Sequence, residues 1–164
     1  MRKLYIIIGS LFILFGCTEP LEVEEYTVPK MITGKTQTSW KMRNVQIVRV
    51  GKGTLTVSPE FFFGEEDNPC QVDNIYTFVN NAERTLRITE GSLKCNAGDP
   101  NLVYEGSWSF VNATATLTFF MPVLTTEGLV PFTVTEANEN SLVIDLYYTE
   151  TSSYRFNFRP TDTD

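Results

Sequence analysis

The sequence predicts an all-β domain, a single up-and-down antiparallel β-barrel of about eight strands. Three observations predict it. Beyond Trp40, apolar and polar residues alternate with a period of two, the mark of half-buried antiparallel strands. Clusters of Asn, Gly, Ser and Thr separate these runs at near-even spacing, where tight turns need their backbone freedom. No apolar stripe at helical spacing and of convincing length follows the first sixteen residues. A meander that closes on itself also removes the exposed edges of an open sheet, which favours a barrel.

The strands follow in order. Eight or nine are expected, over about residues 40–50, 53–58, 73–79, 84–90, 103–111, 114–121, 130–137, 141–149 and 153–159. In "YEGSWSF", Tyr104, Gly106, Trp108 and Phe110 share one face, and Glu105, Ser107 and Ser109 share the other. In "SLVIDLYY", Leu142, Ile144, Leu146 and Tyr148 fall together. "SSYRFNFRP" is the clearest case, with Tyr154, Phe156 and Phe158 alternating with Ser153, Arg155, Asn157 and Arg159. "VNNAE" at 79–83, "VNATA" at 111–115, "EANENS" at 136–141 and "TETSS" at 149–153 supply turns. Asn112-Ala113-Thr114 matches a glycosylation sequon and is read here as a hairpin turn.

The N-terminal segment has a different logic. Arg2 and Lys3 are the only charges in the first eighteen residues, and Leu4 to Phe15 are apolar apart from Gly9 and Ser10. A charged start followed by a short apolar run is an export signal. A spanning helix needs about 20 apolar residues, more than this run has. The run ends in Leu14-Phe15-Gly16-Cys17. These residues resemble the bacterial lipoprotein box, which implies lipidation of the Cys17 thiol and cleavage just before it. Acyl chains contribute about 0.8 kcal/mol per buried methylene, so two or three of them make a stable anchor. The expected organisation is therefore a signal peptide over 1–16, an acidic tether over 17–35, the barrel over 36–160 and a short tail over 161–164. Thr18 after the cysteine, by resemblance to sorting rules in enteric bacteria, implies the outer membrane. Glu19, Glu22, Glu24 and Glu25 resemble the acidic tether of surface-exported lipoproteins in Bacteroidetes; the other reading is a solvated linker in the periplasm.

Without residues 1–16 the chain keeps 148 residues, enough for one domain. Without Arg2 and Lys3 its 13 basic residues fall to 11 against 20 acidic ones, a net charge of −9. Such a surface repels phosphate backbones and anionic headgroups, which argues against nucleic acid as a partner and leaves membrane contact to the lipid. Two cysteines remain, Cys70 and Cys95. In an exported chain a disulfide between them is expected, closing a loop of about 25 residues. There is no CxxC and no histidine, so a zinc site lacks its usual ligands.

"PCQVDNIYTF" at 69–78, "KCNAGDP" at 94–100 and "GSWSF" at 106–110, in that order, resemble the lipocalin-like domain of Bacteroidetes lipoproteins. Trp40 and the closing "YRFNF" match the tryptophan strand that opens that domain and the aromatic strand that ends it. The resemblance covers most of residues 34–159 and implies a lipocalin-like barrel. Lipocalins begin with Gly-x-Trp, whereas Thr38 stands two residues before Trp40 here.

Candidate site residues follow from these patterns. Trp40, Tyr76, Phe78, Trp108, Phe110, Tyr154, Phe156 and Phe158 are expected on the inner side of their strands. They either line a cavity for one small ligand or fill the core, since a barrel of about eight strands allows both. Phe61, Phe62 and Phe63 cannot all face inward on a strand. They form either a plug over one end of the barrel or a contact site for a partner or sugar. Without histidine, Ser-His-Asp and Cys-His catalysis are closed. Glu65, Glu66 and Asp67 remain as a carboxylate set, read as a solvated turn against hydrolysis or calcium binding. The expected function is non-enzymatic and cofactor-free: a lipid-anchored envelope lipoprotein that binds a small apolar or glycan ligand. The alternative is a structural or protein-interaction subunit of an envelope complex with a solid core.

Overall fold

The computed structural model describes residues 27–64, 70–98 and 100–161. Cys17, and the acidic set Glu65, Glu66 and Asp67, lie outside the described residues. Ten antiparallel strands are described: β1 (Gln37–Arg49), β2 (Gly53–Val57), β3 (Ile75–Val79), β4 (Thr85–Thr89), β5 (Leu102–Ser107), β6 (Ser109–Val111), β7 (Thr116–Phe119), β8 (Val130–Asn138), β9 (Ser141–Thr149) and β10 (Ser152–Pro160). They form one sheet in the order β5-β4-β3-β1-β10-β9-β8-β7-β6, with β2 also on β1. The two end strands, β5 and β6, are one stretch of chain interrupted only at Trp108. The sheet therefore curls round into a nearly closed barrel, as the alternation predicts.

Ten strands stand where eight or nine are expected, because one expected run is split in two. The run read as one strand over 103–111 breaks at Trp108: its N–H donates to the in-register Arg84 carbonyl at 2.9 Å, and from Ser109 the chain pairs with β7 instead of β4. The first strand starts three residues earlier than expected and is long enough to serve two partners. Its first half, Gln37–Lys41, pairs with β3, and its second half, Val45–Arg49, pairs with β2 on the same edge. β10 holds the other edge, with a bulge between Met42 and Asn44 that bends the strand.

Inward positions are apolar and nearly inaccessible: Trp40 and Val45 on β1, Tyr76 and Phe78 on β3, Leu86 and Ile88 on β4, Phe119 on β7, Phe132 on β8, Ile144 on β9, Phe156 and Phe158 on β10. Burying each large apolar side chain contributes roughly 1.5–3 kcal/mol, so this ring of residues dominates the stability.

Two short helices sit at the two ends of β1. Helix α1 (Val28–Thr33) falls in the span expected as tether. Pro29 suits its first turn, and Gly34 ends it at φ +62°, donating its N–H to Lys30 O. Ile32 is fully buried, and its carbonyl accepts the Trp40 indole N–H at 2.8 Å. Helix α2 (Pro59–Phe63) lies where the three phenylalanines occur. Ser58 caps it by accepting the Phe61 N–H, and Pro59 takes the first helical position. The helical turn resolves the conflict among the three rings. Phe62 and Phe63 pack on Phe156, and Phe62 also packs on Tyr154, while Phe61 points to solvent, 75% exposed.

Candidate functional site

The residues expected on the inner wall are brought together. Tyr76 meets Phe158 and Phe119 edge-on, with centroids 5.7 and 6.0 Å apart. Phe78 meets Trp108 and Phe119 in the same way at 5.7 and 5.4 Å. Phe119 leads on to Phe132, and Phe132 to Phe156. Rings from β3, β7, β8 and β10 thus touch in an unbroken chain across the barrel, edge-to-face at every link except the tilted Phe119–Phe132 pair. Phe110 is half-buried and packs against this cluster. Tyr154 is also half-buried, but it lies at the α2 end, stacked on the exposed Tyr148 at 4.6 Å.

Two polar groups qualify this apolar interior, and one ion pair lies on the outer face of the sheet. The Tyr76 hydroxyl and the Trp108 indole N–H are buried without a hydrogen-bond partner, whereas the Trp40 indole has one. Burial drives the Tyr76 pKa well above its ordinary value, because no neighbour compensates the phenolate. On β9 and β10, Asp145 and Arg155 are cross-strand partners and form a bidentate pair at 2.8 and 2.9 Å. The Asp145 side chain is almost fully buried, and that of Arg155 is one-third exposed.

A second polar assembly lies beside the disulfide, which joins Cys70 and Cys95 as expected. The bridge fastens the segment before β3 to the segment after β4. Asp73 organises the junction. Its Oδ2 accepts the Ser92 N–H at 2.8 Å, the Ser92 hydroxyl at 3.0 Å and the Leu93 N–H at 3.1 Å, with the Lys41 ammonium at 3.6 Å. Gly91 is required here: a β-carbon on it would collide with Asp73. Glu90, 6% exposed, accepts the Cys95 N–H through Oε1 at 3.1 Å. Its Oε2 has no hydrogen bond, only the Lys94 ammonium 3.8 Å away.

Between these segments and the start of β5 opens a pocket of about 310 Å³, lined by Gln71, Asn74, Glu90, Cys95, Pro100, Leu102 and Val103. That is the low end of the range for small-molecule sites. Four buried polar atoms of its lining residues lack partners: Gln71 Oε1, Asn74 Oδ1, Asn74 Nδ2 and Glu90 Oε2. Buried polar groups are nearly always satisfied, so four within one small region stand out; all four are closed off from the pocket's open volume. Gln71, Asn74 and Glu90 are not among the residues expected from the sequence. The available signal was that each cysteine is flanked by polar residues, "CQVDN" and "TEGSLKC", which a disulfide must bring face to face. Among the described residues no group of three or more His, Cys, Asp or Glu could hold a metal ion.

Compared with known proteins, the chain matches no protein-family model and no curated sequence.

Proposed function

We propose that this protein is a lipid-anchored envelope lipoprotein that binds a small ligand without transforming it, and that its ligand is held outside the barrel. The anchor is Cys17, in the setting of an export signal and an acidic tether. The observation that carries the binding reading is the contrast between two regions of the fold. The centre of the barrel is occupied by contacting rings, from Tyr76 and Phe78 through Phe119 and Phe132 to Phe156. The pocket beside the disulfide has open volume between polar residues and the part-exposed Leu102 and Val103. A lipocalin-like scaffold so arranged uses its core for stability and a loop-side pocket for recognition. The two smaller sets of ligand chemistry expected from the sequence then separate: the pocket favours a glycan over an apolar ligand. Replacing Cys17 with Ser tests the anchor. The variant should leave the membrane fraction for the soluble one, and a variant that still sediments with membranes would refute it.

A second reading has its own support. Val50, Leu55 and Phe61 are 73%, 58% and 75% exposed, and all three belong to the β1–β2–α2 end of the barrel. Apolar residues gathered at one end suit a protein partner in the envelope.

A further inference from the structure

Resting on the protein-partner reading above, we infer that the outer edge of β2 is the docking edge for a second copy of this chain, the two joined β2 to β2 as antiparallel strands about a two-fold axis at Leu55.

The edge is open. β1 has β10 along one side, and β3 and β2 end to end along the other. β3 carries β4 beyond it, but among the described residues no strand pairs with the outer side of β2. Gly53 to Thr56 are exposed, and Leu55, the register partner of Ile47 on β1, is 58% exposed. Exposed edges are usually blunted by a charge, a proline or a bulge. Gly53–Val57 has no charged residue and no proline, and its register with β1 runs unbroken. Only its length of five residues limits it.

Any extended strand satisfies the backbone of an open edge; the match of these side chains to themselves is what favours a copy. Thr54-Leu55-Thr56 reads the same in both directions. Antiparallel pairing about Leu55 sets Leu55 against its counterpart and Thr54 against Thr56 of the other copy. Both are favourable cross-strand pairs, apolar contact on one face and hydroxyl bonding on the other. The Thr56 hydroxyl accepts from Gln46 Nε2 at 3.3 Å and keeps its own hydrogen to donate. Ile47, Leu55 and their two counterparts become four adjacent apolar side chains on one face of a sheet running through both copies. The flanks agree as well. The same register sets Lys52 beside Ser58, two residues before Glu60, so opposite charges lie at each end of the joined strands. The exposed Val50 and Phe61 flank those ends. No like charges meet along this edge, although the chain as a whole carries −7. In a two-fold interface each of these contacts off the axis occurs twice.

The test is single-cysteine cross-linking in cells producing the full chain, with a thiol oxidant, non-reducing electrophoresis and the mass of each adduct, read against the wild type. Directly opposite β-carbons in an antiparallel pair are about 5 Å apart and diagonal ones about 7–8 Å, and only the former suit a disulfide. Leu55→Cys should therefore give a dimer, while Thr54→Cys and Thr56→Cys, each alone, should give roughly tenfold less. Thr54→Cys and Thr56→Cys produced together should give the mixed dimer. Adding Thr54→Lys and Thr56→Lys to Leu55→Cys sets lysine against lysine and should abolish the dimer. Val111→Cys, at an exposed position on β6, should match the wild type. Dimers that form equally at Leu55, Thr54 and Val111, or that survive both lysines, would overturn the pairing. Adducts with a different protein in place of the dimer would overturn the second copy and leave the protein-partner reading standing. No adduct of any kind at Leu55→Cys, Val50→Cys or Phe61→Cys would overturn both.

Discussion

Removing the disulfide is the most quantitative perturbation the structure offers. In Cys70→Ser/Cys95→Ser the folded barrel keeps its ladders, and the principal change is to the unfolded chain, which regains the freedom the bridge withheld. The cysteines are 25 residues apart in sequence. The chain-entropy treatment for a loop of that size gives about 12 cal/mol/K, or about 3.5 kcal/mol at room temperature. For a domain of this length the corresponding fall in Tm is on the order of 10 °C. Urea denaturation of wild type and double variant, followed by tryptophan fluorescence, measures the difference directly. The Asp73 bonds to Ser92 and Leu93 remain in the variant, so the loop should stay in place and most of the loss should be entropic. A loss below about 1 kcal/mol would refute the reasoning, because the unfolded chain would then gain little from the cut. A second readout follows from the Glu90–Cys95 bond: the Glu90 and Lys94 amide signals should broaden or move in the variant while those of β8–β10 stay fixed.

Two further perturbations test the interior and the outer ion pair. Tyr76→Phe deletes a buried hydroxyl that has no partner and should stabilise the protein by about 1 kcal/mol in the same denaturation assay. The change should also flatten the alkaline limb of the stability curve. Burial keeps the folded Tyr76 protonated above about pH 10, where the unfolded tyrosine ionises, so the wild type loses stability as pH rises through that range. A Tyr76→Phe variant with the same alkaline slope as wild type would contradict this. Arg155→Ala leaves the nearly inaccessible Asp145 carboxylate unpaired and should cost about 3 kcal/mol, the low end for a buried pair because Arg155 is itself one-third exposed. Arg155→Met combined with Asp145→Leu should recover most of that loss, and a double variant as unstable as the single one would show that something other than the unpaired charge is responsible.

Much of the barrel is legible in the sequence because inside and outside alternate so cleanly. In Ser152–Pro160 the inward Phe156 and Phe158 are about 1% exposed or less, while the outward Arg159 is exposed, as period two requires. The break between β5 and β6 is not legible. The alternation runs straight through Trp108, and the break comes from a change of partner, β4 before it and β7 after it. Helix α2 was signalled locally, by Ser58-Pro59-Glu60 before the rings and Gly64 after them, but three consecutive phenylalanines read more readily as strand. Helix α1 is a single turn and a half whose reason is tertiary, the Ile32 carbonyl under the Trp40 indole. The pocket was hidden for a different reason. Gln71, Asn74 and Glu90 are ordinary polar residues in a loop-rich stretch, and their lack of partners exists only once the fold has buried them. The aromatic residues could be placed inside from sequence, but their mutual contacts could not, because ring packing depends on the register between strands.

In the proposed function, recognition lies outside a barrel whose centre is occupied by rings. The measurement that tests it most directly is the response of the Trp40, Trp108, Phe78 and Phe156 ring signals to saturating decanoate, set beside the response of the Asn74 and Cys95 amides to the sugars. The proposed function requires ring signals unmoved by the apolar probe and pocket amides shifted by a sugar such as glucose, galactose or mannose. Decanoate shifts at the four rings, with the pocket amides indifferent to every sugar, would place the binding site inside the barrel and contradict it.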